Sequence, residues 1–133
     1  MPNPSTRTLS IFISSPYATV YEFLSQPENL PQWAQGLGQG IEKGDGVWKV
    51  HTPSGVVTMV FANKNDYGVV DHTVYLPDGS EVYIPMRVVK HGAGSEVLFT
   101  LFRQPSMSDA DYERDAQSVQ QDLQRLQRLL TRA

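Results

Sequence analysis

Ser108-Asp109-Ala110-Asp111-Tyr112-Glu113-Arg114-Asp115-Ala116-Gln117-Ser118-Val119-Gln120-Gln121-Asp122-Leu123-Gln124-Arg125-Leu126-Gln127-Arg128-Leu129-Leu130 closes the chain. Within it Tyr112, Ala116, Val119, Leu123, Leu126 and Leu130 recur at steps of 4, 3, 4, 3 and 4. That spacing is one apolar stripe on a helix of about 24 residues, roughly 36 Å long. Ser108 can cap its start, and Asp109 and Asp111 suit the positive end of the helix dipole. Glutamines 117, 120, 121, 124 and 127 and several charges occupy the other faces. The helix therefore buries one face only. A coiled-coil dimer would use the same spacing, but three heptads with Tyr and Ala in the first are short for that role. The stripe is expected to lie on the chain's own sheet.

The preceding sequence supplies that sheet. From Ile41 to Arg103, strand patterns alternate with the breaks Gly44-Asp45-Gly46, Pro53-Ser54-Gly55, Asn65-Asp66-Tyr67-Gly68, Pro77-Asp78-Gly79 and Gly92-Ala93-Gly94. Connections this short join antiparallel neighbours, because a parallel pair needs a crossover of a dozen or more residues. Six strands in a meander are predicted, at roughly 39–43, 47–52, 56–64, 69–76, 81–91 and 95–103. Arg7 to Ser14 alternates as a half-buried strand and brings the sheet to seven. Ser15-Pro16 reads as a cap and first helical position, with Tyr17, Val20, Tyr21 and Leu24 on one helical face. Pro27 stops that helix. Pro27-Glu28-Asn29-Leu30-Pro31 starts a second short one carrying Leu30 and Trp33, released by glycines 36, 38 and 40. The expected class is α+β, one domain over residues 1–133: a seven-stranded antiparallel sheet around a long C-terminal helix, with two short helices after the first strand.

Turn chemistry sets the register. Leu76-Pro77-Asp78-Gly79-Ser80 suits a three-residue hairpin with a left-handed glycine. It pairs Leu76 with Ser80, Val74 with Val82, His72 with Ile84 and Val70 with Met86. This choice stacks apolar residues on one face of both strands. Val97, Phe99 and Leu101 join that face, with Arg103 at its rim and Trp48 and Val50 on the matching side of another strand. The inner face is then apolar except for His72 near its middle. A histidine there needs a hydrogen-bond partner, or is left costing roughly 1–3 kcal/mol. A backbone carbonyl, a water or a ligand would each serve.

Composition narrows the function classes. Eleven basic residues face 14 acidic ones, a net charge of -3, with no basic cluster to hold nucleic acid. There is no cysteine, which removes disulfides, zinc–thiolate sites and thiol catalysis. The start of the chain lacks the layout of a signal peptide, and no apolar run approaches the roughly 18 residues of a bilayer span. A cytoplasmic protein without an integral membrane segment is expected. His51 and His91 share faces opposed to that of His72, so no metal site is expected. Asp71 and His72 are adjacent strand residues and point to opposite faces. Gly36-Leu37-Gly38-Gln39-Gly40 follows a helix and leads into a strand, the reverse of a dinucleotide-binding loop. No catalytic constellation stands out.

The order of elements resembles the helix-grip fold of the SRPBCC/START-like superfamily. Ile11-Phe12-Ile13-Ser14-Ser15-Pro16-Tyr17-Ala18-Thr19-Val20-Tyr21-Glu22-Phe23-Leu24 is similar to its usual opening. Pro27-Glu28-Asn29-Leu30-Pro31-Gln32-Trp33 resembles its second helix, and Asp122-Leu123-Gln124-Arg125-Leu126-Gln127-Arg128-Leu129-Leu130 its last. The resemblance implies a cavity between sheet and long helix for a small hydrophobic molecule such as a lipid, a quinone or a polyketide-like aromatic. It carries over no catalytic residue and no cofactor. The candidate ligand-binding residues are His72, Arg103, Trp33, Trp48, Ile84, Met86, Phe99 and Leu101. Two alternatives stand beside binding. One is a polyketide cyclase/aromatase-like enzyme, with His72 as acid or base and Arg103, Tyr75 or Tyr83 orienting an enolate. The other is a protein-interaction module. Monomer and homodimer both remain open.

Overall fold

A computed structural model describes residues 5–34, 40–53 and 55–131. Strand β1 (Thr6–Ile13) leads into helix α1 (Tyr17–Leu24) and a 3-10 helix (Pro27–Gln32). Strands β2 (Ile41–Lys43), β3 (Trp48–Thr52), β4 (Gly55–Phe61), β5 (His72–Tyr75), β6 (Glu81–Ile84), β7 (Met86–His91) and β8 (Gly94–Phe102) follow, and α2 (Asp109–Leu130) ends the chain. Every strand pairing is antiparallel. This is the expected α+β helix-grip architecture, with two short helices after the first strand. The expected release of the chain at Gly36 and Gly38 lies outside the described residues.

The strand expected over 81–91 is interrupted at Pro85. Eight strands result among the described residues, in the orders β1-β8-β7 and β2-β3-β4-β5-β6, instead of one run of seven. Proline has no N–H for the ladder and bends the strand that contains it. The two sets stay joined around the bend: Thr100 N–H donates to the Pro85 carbonyl at 2.9 Å, and Val70 N–H donates to the Met86 carbonyl at 2.9 Å. Val88 N–H reaches Gly68 O, also at 2.9 Å. The meander therefore curls where the sequence places its proline.

The hairpin register is the expected one. Leu76 N–H donates to Ser80 O at 2.9 Å, Gly79 has φ +89°, and Val74 pairs with Val82 and His72 with Ile84. On α2, Tyr112, Ala116, Val119, Leu123 and Leu126 are buried and Leu130 is partly so, in one cluster with Ile13, Val97 and Leu101. Leu123 and Leu126 are fully enclosed, each worth about 1.5–3 kcal/mol relative to exposure. A capping box starts the helix: the Asp111 N–H donates to Ser108 Oγ at 3.0 Å, and the Ser108 N–H reaches Asp111 Oδ2 at 3.4 Å.

Ser15 has another task than the expected cap. Pro16 occupies the cap position of α1 without a side-chain cap, and the buried Ser15 hydroxyl donates to the Leu130 carbonyl in the last turn of α2. An orphan carbonyl at a helix end needs such a donor, and the tertiary fold brings this one to it. Gln127 Nε2 donates to Phe12 O at 2.7 Å, and Arg125 Nη1 to Trp33 O at 2.7 Å. These bonds fix α2 against β1 and against the residue that follows the 3-10 helix.

Candidate functional site

Strand register builds the candidate site on the concave side of the bend. Phe61, His72 and Ile84 stand in line across β4, β5 and β6, and Met86 pairs with Phe99 across β7 and β8. His72 is only 6% exposed. Its ring stacks on Phe61 at 5.2 Å and meets the edge of Phe99 at 6.5 Å. Nδ1 lies 3.2 Å from the Val70 carbonyl. A carbonyl only accepts, so Nδ1 carries the hydrogen, and in the neutral ring Nε2 is left as an acceptor. Burial pushes the His72 pKa below 6.5, against weaker opposing pulls from the Val70 carbonyl and the Asp71 charge. The imidazole is thus neutral near pH 7.

His72 shares a small cavity with Leu24, Gln26, Pro27, Leu30, Trp33, Phe61, Val70 and Met86. Its volume is about 10 Å³, the space of roughly one water molecule. The walls come from α1, the 3-10 helix, Trp33 and the sheet, and none comes from α2. The stripe of α2 instead belongs to the packed core described above. The wall runs from exposed Gln26 to buried His72, so the cavity lies beneath the surface at the α1 to 3-10 junction.

The other residues singled out from sequence divide into two groups. Trp33 and Met86 line the cavity, and Phe99 touches the His72 ring. Ile84 faces His72 across the ladder and is partly buried. Trp48 sits on β3 opposite Met59, with the Lys43 ammonium 5.9 Å from its ring centre. Leu101 is buried, and its carbonyl accepts from Tyr112 Oη at 3.2 Å. Arg103 donates to Met107 O at 3.2 and 2.9 Å and to Asp109 Oδ1 at 2.6 Å. Its guanidinium also lies over the Tyr112 ring. It fastens the connection before α2 and does not line the cavity. Leu24, Gln26, Pro27, Leu30, Phe61 and Val70 line it without having been named as candidate ligand-binding residues, because the packing of the 3-10 helix onto the sheet is not a pattern in the sequence.

The three histidines do not converge. His51 Nε2 pairs with Glu42 at 2.9 Å and His91 Nδ1 with Glu96 at 2.9 Å, both at the surface. Among the described residues, no group of His, Cys, Asp and Glu is placed to hold a metal ion. Tyr75 and Tyr83 are exposed. Behind His72, on the convex side, Asp71 is buried and accepts from four donors. They are Tyr83 Oη, Met86 N at 2.8 Å, Arg87 Nε at 3.0 Å and Arg87 Nη2 at 2.9 Å. Burial would raise the Asp71 pKa, but the bonds from Arg87, Tyr83 and the Met86 amide outweigh it and hold the carboxyl below its usual 3.8. The hairpin register contained this cluster: if His72 faces Ile84, Asp71 faces Pro85, with Tyr83 and Arg87 two residues to either side.

No family model matches the sequence, and no curated protein matches it. Solved structures match in shape. XoxI from Bacillus cereus aligns with a TM-score of 0.76 at 15% identity, covering 95% of each chain. A protein from Chromobacterium violaceum aligns at 0.75 and 16% identity, over 98% of this chain and 100% of that one. A START superfamily protein from Mycobacterium smegmatis aligns at 0.71 and 9% identity, over 96% and 97%. Likeness at these identities is likeness of fold. The chain has the helix-grip fold that these structures share. Among the described residues no helix is long and apolar enough to cross a membrane.

Proposed function

We propose that the chain binds a small, mostly apolar molecule against His72, beneath the α1 to 3-10 junction. The supporting observation is a buried polar side chain facing a cavity whose wall is otherwise almost wholly apolar, the usual composition of a ligand site. A space of about 10 Å³ holds no such molecule as it stands. Binding therefore requires the 3-10 helix to move outward with Leu30 and Trp33. That segment suits the task. It is a short 3-10 helix, a form with poorer hydrogen-bond geometry than an α-helix, and it contains Pro31, which has no N–H to donate. The ligand would be a lipid, a quinone or a polyketide-like aromatic.

Native mass spectrometry of protein purified without detergent should find a bound apolar molecule. Added naphthalene should shift the NMR signals of Leu30, Trp33 and His72. Protein that carries no adduct and whose signals at those residues do not respond would refute the proposal.

A further inference from the structure

We infer that His72 Nε2 is the acceptor for a hydroxyl group on the ligand, so that the site selects alcohols and phenols over ethers, ketones and carboxylates of the same shape. The inference rests on the binding role proposed above and names the ligand class.

Three observations carry it. First, the Val70 carbonyl takes the Nδ1 hydrogen, which leaves Nε2 as the one nitrogen able to face a guest, and only as an acceptor. Second, Nε2 makes no hydrogen bond, although His72 is more than nine-tenths buried, and it is not sealed off by protein. His72 lines the cavity and its Nδ1 is turned to the Val70 carbonyl, so the Nε2 edge of the ring is the one left to face a guest. Third, nothing else among the described residues of that wall suits a polar guest. The other polar side chain, Gln26, is exposed, and its amide donates to Glu22 O at 3.2 Å and to Glu22 Oε1 at 3.1 Å.

A lone water there would find about one partner where buried waters typically have three. A hydroxyl on a carbon body needs only the one acceptor, and its body replaces the missing partners with apolar contact. A ketone or an ether would set lone pair against lone pair and leave Nε2 unpaired. A carboxylate would find no cation, since among the described residues no Lys or Arg lines the cavity. The nearby Arg87 is bound to Asp71, whose side chain points to the opposite face of β5.

The test compares naphthol, its methyl ether and naphthalene by calorimetric or NMR titration. Naphthol should bind about tenfold more tightly than the ether, the worth of one well-made buried hydrogen bond. The preference should vanish in His72→Phe while ether and naphthalene still bind. Equal affinity for all three would overturn this inference and leave the binding role standing, and binding of none would overturn both. Long-range proton–nitrogen NMR of the unmutated protein decides the matter independently of whether His72→Phe folds. Hydrogen on Nδ1 and a naphthol-dependent shift at Nε2 are expected, and hydrogen on Nε2 would refute the assignment.

Discussion

Arg87 holds the Asp71 carboxylate with two parallel hydrogen bonds, Nε to Oδ1 at 3.0 Å and Nη2 to Oδ2 at 2.9 Å, on the convex side of the strand that presents His72. The same carboxylate takes the Met86 amide just past the Pro85 bend. It thus ties the residue that leads into β5 to both β6 and β7 where proline interrupts the ladder. His72 is positioned by this latch as much as by its own bonds.

Removal of the carboxylate should therefore be costly. Asp71→Ala leaves a buried amide without an acceptor and is expected to lower stability by roughly 2–3 kcal/mol in urea unfolding. Arg87→Ala should cost less, because Tyr83 and Met86 still satisfy the carboxylate and the arginine side chain is half exposed. The folded pKa of Asp71 lies below its unfolded value. Its stabilisation is accordingly full above the unfolded pKa, near 3.8, and disappears as the pH falls through the folded one. Acid unfolding of Asp71→Ala should lack this component. Equal effects of the two substitutions would show that the charge pair, and not the buried amide, carries the energy.

His72 makes an opposite change of charge with the same direction of pH dependence. Its folded pKa is pushed below 6.5 by burial, so below that value the unfolded chain binds a proton that the folded chain resists. Stability should be full above about pH 6.5 and decline as the pH drops toward the folded pKa. His72→Phe keeps aromatic contact with Phe61 and Phe99 and removes the titration. The stability of the unmutated protein relative to His72→Phe, followed by thermal unfolding from about pH 7 to 5, should fall as the medium becomes more acid. A constant difference would mean that folding leaves the His72 pKa unshifted, and a difference moving in the opposite sense would mean that the folded imidazole takes up its proton more readily than the unfolded one.

Among the described glycines, Gly68 is the one where a side chain would meet the closest obstruction. Its φ is +70°, and a Cβ there would lie 2.1 Å from the Val88 carbonyl oxygen. The Val88 amide that donates to Gly68 O would be displaced as well. Gly68→Ala should cost more than about 2 kcal/mol from strain and the lost bond together. Urea midpoints measure this, and a loss below about 0.5 kcal/mol would show that β7 can shift freely away from this loop.

The amphipathic stripe of α2 and the turn at Pro77-Asp78-Gly79 were legible because both are local. Periodicity reports which face of a helix is buried, and a left-handed glycine in a three-residue turn fixes which strand residues oppose each other. From these alone His72 falls on the inner face opposite Ile84, as the structure has it. The same register also placed Asp71 between Tyr83 and Arg87, a relation that emerges only when the outer face is read with equal care.

What sequence could not decide depends on contacts between distant segments. Arg103 at the end of an apolar strand suggests a rim charge for a ligand, yet the fold places Met107 O and Asp109 within its reach. Ser15 beside a proline suggests a helix cap, and the last turn of α2 takes its hydroxyl instead. The cavity wall joins Leu24, Leu30 and Trp33 to Phe61 and Val70, residues whose meeting depends on how the 3-10 helix settles on a bent sheet. Local spacing encodes which way a side chain points. Which partner waits there is decided by the packing of elements far apart in the chain.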